Sequence, residues 1–195
     1  MTDAAPAVPA DVAEAAHAQM REALKRVAVA LKRSQVPFAL AGGYGGWARG
    51  APEPAHDVDF LVPPEAAERA LESLREQGLD VQQPPEDWLF KVATDGVVVD
   101  VIHRTNGGRL EDVLARASEE AVLSVRMPVI SATDVAVEKL LALDEHYCDI
   151  AQLLPTMRAL REQVDWSVVR RRTEGNHFAA ALLFLLERLG VVDRS

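Results

Sequence analysis

Asp57-Val58-Asp59, set among the apolar residues Val58, Phe60, Leu61 and Val62 and preceded by Gly42-Gly43, constrains this chain more than any other feature. Successive strand side chains point to opposite faces, so the spacing predicts that Asp57 and Asp59 emerge together from one face of a strand over 57–62. Two carboxylates held that close repel each other, and a divalent cation is the simplest remedy. Mg²⁺ takes oxygen ligands, usually one or two carboxylates plus substrate phosphates. A third acid has a matching setting, Asp100 within Val97-Val98-Val99-Asp100-Val101-Ile102. Three carboxylates on adjacent strands beside a glycine turn imply metal-assisted chemistry at phosphorus.

The rest of the chain supplies elements to hold those strands. Residues 1–10 are Ala/Pro-rich and predict disorder; from Asp11 to Ser34, Met20, Leu24, Val27 and Leu31 recur near helical spacing. A short buried strand follows over Phe38 to Ala41, then a short helix over Tyr44 to Arg49. Pro52 and Pro54 cannot join a sheet ladder and predict a loop. Pro63-Pro64 ends the Asp57–Val62 strand, and Pro64 suits the first position of a helix over Glu65 to Gln77, closed by Gly78. A brief strand over 79–83, a fuller one over Trp88 to Thr94, and the Asp95-Gly96 hairpin signal lead into Val97 to His103. Asn106-Gly107-Gly108 predicts a loop, Leu110 to Glu120 a helix, and Ala121 to Ile130 one or two β segments around Pro128. Ser131 to Asp134 offer caps for a helix over Val135 to Glu145, after which nearly everything has a helical pattern. The division expected is a catalytic α/β unit over 11–130 and a helical region over 131–195.

Composition narrows the class. At 195 residues, 49% of them hydrophobic, the chain can bury a substantial core; roughly 70% of the unfolded surface is lost at such a size. The formal net charge of −9 weakens nonspecific attraction to nucleic acid or anionic membrane. Arg170-Arg171-Arg172 is the one compact basic run and has the look of a solvated helix face. The single cysteine, Cys148, excludes an internal disulfide and, with no signal-peptide pattern and no membrane-length apolar run, predicts a cytoplasmic protein. His103, two residues after Asp100, falls on the same strand face, where it is either a contact to metal or acceptor or a structural or exposed histidine, and His146 and Cys148 near Asp149 make no convincing zinc set.

In the chemistry these residues imply, Asp57 and Asp59 hold Mg²⁺ (or Mn²⁺), and Asp100 serves as a further ligand or as general base near an acceptor hydroxyl. Backbone N–H groups around Gly42 and Gly43, at a helix start, offer a phosphate cradle because glycine permits close approach. The stretch Ala39 to Val62, ALAGGYGGWARGAPEPAHDVDFLV, resembles the core motif of the DNA polymerase β-like nucleotidyltransferase superfamily. It is most similar to small bacterial branches: the lincosamide/aminoglycoside nucleotidyltransferases and the abortive-infection toxin type. Thr133 to Leu154, TDVAVEKLLALDEHYCDIAQLL, resembles them too, with Lys139 and Asp149 at matching positions.

The resemblance implies a mixed sheet flanked by helices (α/β, α+β) with a C-terminal helical region. It also implies transfer of a nucleoside monophosphate from a nucleoside triphosphate to a hydroxyl, with Mg²⁺ required. The residues expected on the donor side are Gly42, Gly43, Tyr44, Arg49 and Lys139. The chain departs from the pattern at Tyr44, where many members have serine, and at Glu53 and Ala55, where small bacterial branches carry Arg and Thr. Arg49 or His56 would then have to supply positive charge toward phosphate. The acceptor is left between a small hydroxylated molecule such as an antibiotic and a tRNA. A homodimer or partner chain completing the site stays open, as does a nucleotidyltransferase fold that binds nucleotide or partner without transferring anything.

Overall fold

The computed structural model describes residues 10–105 and 108–193. The expected disorder at residues 1–9 and the Asn106-Gly107 part of the expected loop lie outside them. Helix α1 (Ala10–Ser34) opens the described chain. Its Met20, Ala23, Leu24, Val27, Ala28 and Leu31 form the buried stripe that the spacing predicts.

Seven strands make one sheet in the order β3-β4-β5-β2-β1-β7-β6. They are β1 (Ala39–Ala41), β2 (Val58–Leu61), β3 (Asp80–Gln82), β4 (Leu89–Thr94), β5 (Val97–Ile102), β6 (Ser118–Val122) and β7 (Val125–Val129). β2 and β5 are parallel, as are β1 and β7, and the other neighbours run antiparallel. The β4–β5 turn has φ of +52° at Asp95 and +80° at Gly96, the left-handed pair that a two-residue hairpin requires.

The register sorts the sheet into two faces. Leu40, Phe60, Val101 and Phe90 lie side by side and are buried against α1 and α3 (Ala67–Glu76), which follows a 3₁₀ turn at Pro64–Ala66. The next row is Ala41, Asp59, Asp100, Lys91 and Gln82, on the opposite face. Toward β1 that second face is covered by an apolar layer from α4 (Leu110–Ala115), α5 (Ala132–Leu141), α6 (Ile150–Leu160), α7 (Trp166–Arg172) and α8 (His177–Arg188), which packs on Ala39, Ala41 and Leu61. Helix α2 (Gly42–Ala48) follows β1 directly.

Two expected helices are shorter than their patterns. The one expected over 110–120 ends at Ala115, and Ser118–Val122 instead pairs with β7 as an edge strand. Its turn, Leu123-Ser124, has φ of +49° and +67° without the Asn or Gly that usually marks such a hairpin. The helix expected over 135–145 runs from Ala132 to Leu141. Asp144 then accepts hydrogen bonds from the N–H groups of His146 and Tyr147 at 2.8 Å each, a local turn that competes with helix. Among the described residues no helix is long and apolar enough to cross a membrane.

Candidate active site

Asp59 and Asp100 are register partners on the parallel strands β2 and β5, so their carboxylates leave the same face one strand spacing apart, about 4.8 Å. Lys91, the register partner of Asp100 on β4, places its Nζ 2.9 Å from Asp100 Oδ1. Burial, and then the charges of Asp100 and Asp57, push the Asp59 carboxyl up to about 6. A sheet face that holds two acids in one row stores repulsion, and a cation relieves it.

Asp57 is the first correction. It lies before β2 and not in it, exposed, with φ of +60°. The strand alternation that predicted a shared face therefore does not act on it. The left-handed backbone is one that Asp tolerates better than most residues, and the turn still leaves its charge close enough to act on Asp59.

The glycine pair has a packing reason. A Cβ on Gly42 would stand 1.8 Å from Asp59 Oδ2, and one on Gly43 would stand 2.7 Å from Pro54 Cβ. Gly42 also has φ of +57°. The carboxylate of Asp59 thus lies directly against the first turn of α2, whose preceding residue Ala41 gives no side-chain cap. Gly42→Ala is expected to cost about 1–2 kcal/mol from backbone strain alone. In a chain of this size that is a fall in melting temperature of roughly 2–8 °C, read by a thermal melt. An unchanged melt would mean that α2 can shift away from Asp59 freely.

The remaining expected donor-side residues divide. Tyr44 is fully buried, and its hydroxyl donates to Glu53 Oε1 at 3.2 Å; its ring packs edge-on against Trp47, centroids 5.6 Å apart. Glu53 also receives both Nε (2.8 Å) and Nη2 of Arg21 from α1. The departures at positions 44 and 53 are therefore partners in one structural cluster, and Arg21 neutralises the acid that stood at the phosphate side of the motif. Arg49 turns the other way. Its Nε donates to the carbonyl of Ile130 at 2.6 Å and its Nη2 to that of Val129 at 2.8 Å, and it also reaches Ser118 and Glu120. It clamps α2 to β6 and β7, away from the acid row. Lys139 sits half-buried on α5, near enough for its charge to oppose the rise at Asp59. Asp149 caps α6 through the N–H of Gln152.

A cavity of about 480 Å³ opens beside the acids. It is lined by Asp59, Leu61 and Ile102 from the sheet, by Trp88 and Arg104, and by Glu138 and Leu141 of α5. Sequence reasoning passed over Glu138, whose only signal was its place beside Lys139. Burial, then Asp134 and Asp59, push its carboxyl up to about 7, and its sealed Oε1 has no hydrogen-bond partner among the described residues.

Among the described residues no three His, Cys, Asp or Glu side chains are gathered as a ready-made metal cage. The donor chemistry fits a different arrangement: hard carboxylate oxygens from the Asp59–Asp100 pair, repelling each other, with the other ligands supplied by phosphate.

The model of an uncharacterised nucleotidyltransferase family matches residues 10–192, and the chain belongs to that family. Among solved structures it is similar to ANT(2″)-Ia in complex with adenylyl-2″-tobramycin: 13% identity, 85% of this chain and 98% of that one covered, TM-score 0.57. The solution structure of the antibiotic-resistance factor ANT(2″)-Ia aligns at 14% identity over 89% and 95% of the two chains, with a TM-score of 0.52. The lincomycin-bound lincosamide antibiotic adenylyltransferase LnuA aligns at 15% identity over 64% and 86%, with a TM-score of 0.46. At such identities the likeness to ANT(2″)-Ia establishes the fold. No protein of curated function matches the chain.

Proposed function

We propose that this nucleotidyltransferase moves a nucleoside monophosphate from a nucleoside triphosphate to a hydroxyl of a small acceptor, and that Asp57, Asp59 and Asp100 carry the reaction. The observation that carries this reading is the Asp59–Asp100 pair, side by side on parallel strands with Asp59 against Gly42. Mg²⁺ or Mn²⁺ bound with the triphosphate would supply the charge that polarises the α-phosphorus, held by Asp59 and Asp100 with Asp57 at the rim. Asp100 stands to take the proton from the acceptor hydroxyl as its oxygen bonds to the α-phosphorus and pyrophosphate leaves with the electrons of the broken bond. Lys91 holds Asp100 from the side and must share that carboxylate in the working state. The α2 amides around Gly42 and Gly43, and Lys139, whose charge acts on Asp59, would be available to the phosphates. In this reading residues 11–130 provide the donor side and 131–195 shape the acceptor side.

A small acceptor is favoured over tRNA on two grounds. The cavity is of small-molecule size. A chain of net charge −9 also repels a polyanion. ANT(2″)-Ia, which shares the fold, is solved in complex with adenylyl-2″-tobramycin, and this supports a small acceptor.

The test is a thermal melt with each of the four nucleoside triphosphates, with and without Mg²⁺. A ligand at about 100 times its Kd should add about 2.7 kcal/mol, or roughly 5–11 °C, only when Mg²⁺ is present. No shift with any nucleotide would instead favour a fold that binds a partner without transfer.

A further inference from the structure

Lys91 is the cation in the row of the acids. It stands beside Asp100 on β4 as Asp59 does on β2, so Asp100 has a carboxylate on one side and an ammonium on the other. Among the described residues Lys91 makes its one hydrogen bond to Asp100 Oδ1, at 2.9 Å. Its charge also opposes the rise at Asp59. Gln82, next in the row, turns instead to Asp80 Oδ2 at 3.1 Å and does not compete for the ammonium. In the absence of metal, a positive charge so placed offsets part of the repulsion between the two acids.

The contact is one that can be given up. The Lys91 side chain is 38% exposed and that of Asp100 24%, so water can take over either partner, and such a pair adds little to stability. Lysine is also a point charge on a flexible stem, held here at one oxygen, where an arginine fork could grip both. What displaces it follows from charge. A bare divalent ion meets the repulsion of Lys91 and finds Asp100 already engaged. An ion that carries a triphosphate brings its own oxygen ligands and asks less of Asp100, while the phosphate charge offsets the ammonium.

We propose that Lys91 is a resident stand-in for the cation: its ammonium occupies Asp100 in the metal-free protein and makes entry of the divalent ion conditional on the triphosphate. This inference rests on the transferase reading and adds to it the residue that couples the metal to the nucleotide. Lys91 acts through Asp100 and is a positioning residue.

The experiment is titration of the full chain with Mn²⁺ at constant pH and ionic strength, free ion read by electron paramagnetic resonance, with and without a non-hydrolysable ATP analogue. Without nucleotide, Lys91→Met should bind Mn²⁺ at least about tenfold more tightly than wild type, since a positive charge beside the ligands is gone. With the analogue present the gap should narrow to about threefold or less, because the phosphates then offset that charge in wild type too. Lys91→Arg should keep the weak affinity for Mn²⁺ alone. Arg33→Met, which removes an exposed charge from α1 on the opposite face of the sheet, should leave Mn²⁺ binding unchanged. A merely structural Lys91 would lose Mn²⁺ affinity or keep it on substitution; it would not gain. Equal affinity for Mn²⁺ alone in wild type and Lys91→Met overturns the proposal. So does a gain that persists in full with the analogue, or one that Lys91→Arg or Arg33→Met shares. A wild type that binds no Mn²⁺ even with the analogue is a different result, and it removes the transferase reading together with this one.

Discussion

Asp59→Asn should lower nucleotidyl transfer by roughly three orders of magnitude while raising the stability of the metal-free protein. The activity loss follows from removing one of the two register-paired acids that would hold the cation, whose charge stabilisation at phosphorus is worth several kcal/mol. The stability gain follows from the like charges: burial, Asp100 and Asp57 all push the Asp59 carboxyl up, to about 6. A carboxyl raised in the folded state binds its proton more tightly there than in the unfolded chain. Folding is therefore penalised as pH rises through about 6, and the penalty fades below it. Glu138, raised to about 7, acts in the same sense. Wild type without metal should thus gain melting temperature between pH 7.5 and 5.5, and Asp59→Asn should gain less. Pyrophosphate release measures the first effect and a melt series across pH the second. A variant that is less stable than wild type at pH 7.5 would mean that Asp59 has a structural partner, against the arrangement described.

Asp134→Ala carries the largest expected cost in stability. Asp134 is fully buried at the start of α5, where Arg116 donates to it through Nε at 3.0 Å and Nη2 at 2.7 Å, with Arg172 and the Ser131 hydroxyl completing the set. Burial pushes its carboxyl up, but these hydrogen bonds outweigh it and hold it below the ordinary value. Removing one partner of such a cluster costs about 3–5 kcal/mol, because the charges left behind lose their buried counter-ion. Arg116 can regain water, so the lower end is expected: about 3 kcal/mol, or roughly 6–12 °C. The sign in pH is opposite to that at Asp59. The stabilisation is present above the unfolded carboxyl value and is lost as pH falls through the lowered folded one. A chemical denaturation series on Asp134→Ala and Asp134→Asn reads both effects. A change below about 1 kcal/mol would assign the cluster to surface electrostatics.

Much of this was legible in the chain. The α1 stripe, the Asp95-Gly96 hairpin, the Pro63-Pro64 stop and the acids near a glycine pair are local patterns, and local patterns survive folding. The pattern around Asp57 does not show where the strand starts, because a strand boundary depends on where pairing begins, and pairing with β5 begins at Val58. β6 is hidden in the sequence because its hairpin uses Leu123-Ser124, residues that do not announce left-handed backbone. The resemblance places Arg49 on the donor side, and nothing local in the sequence announces that its guanidinium donates to the carbonyls of Val129 and Ile130, which are distant in the chain.

By itself the sequence determined the period of each element and the chemistry available: hard carboxylates, a glycine turn and an acidic surface. Only the tertiary structure decided which charges meet. It set Asp59 beside Asp100 through the parallel β2–β5 register and absorbed Glu53 into Arg21 and Tyr44. It also left Glu138 Oε1 buried without a hydrogen-bond partner among the described residues. The physical reason is that electrostatic pairing depends on distances between strands and helices far apart in the chain, and periodicity carries no information about those distances.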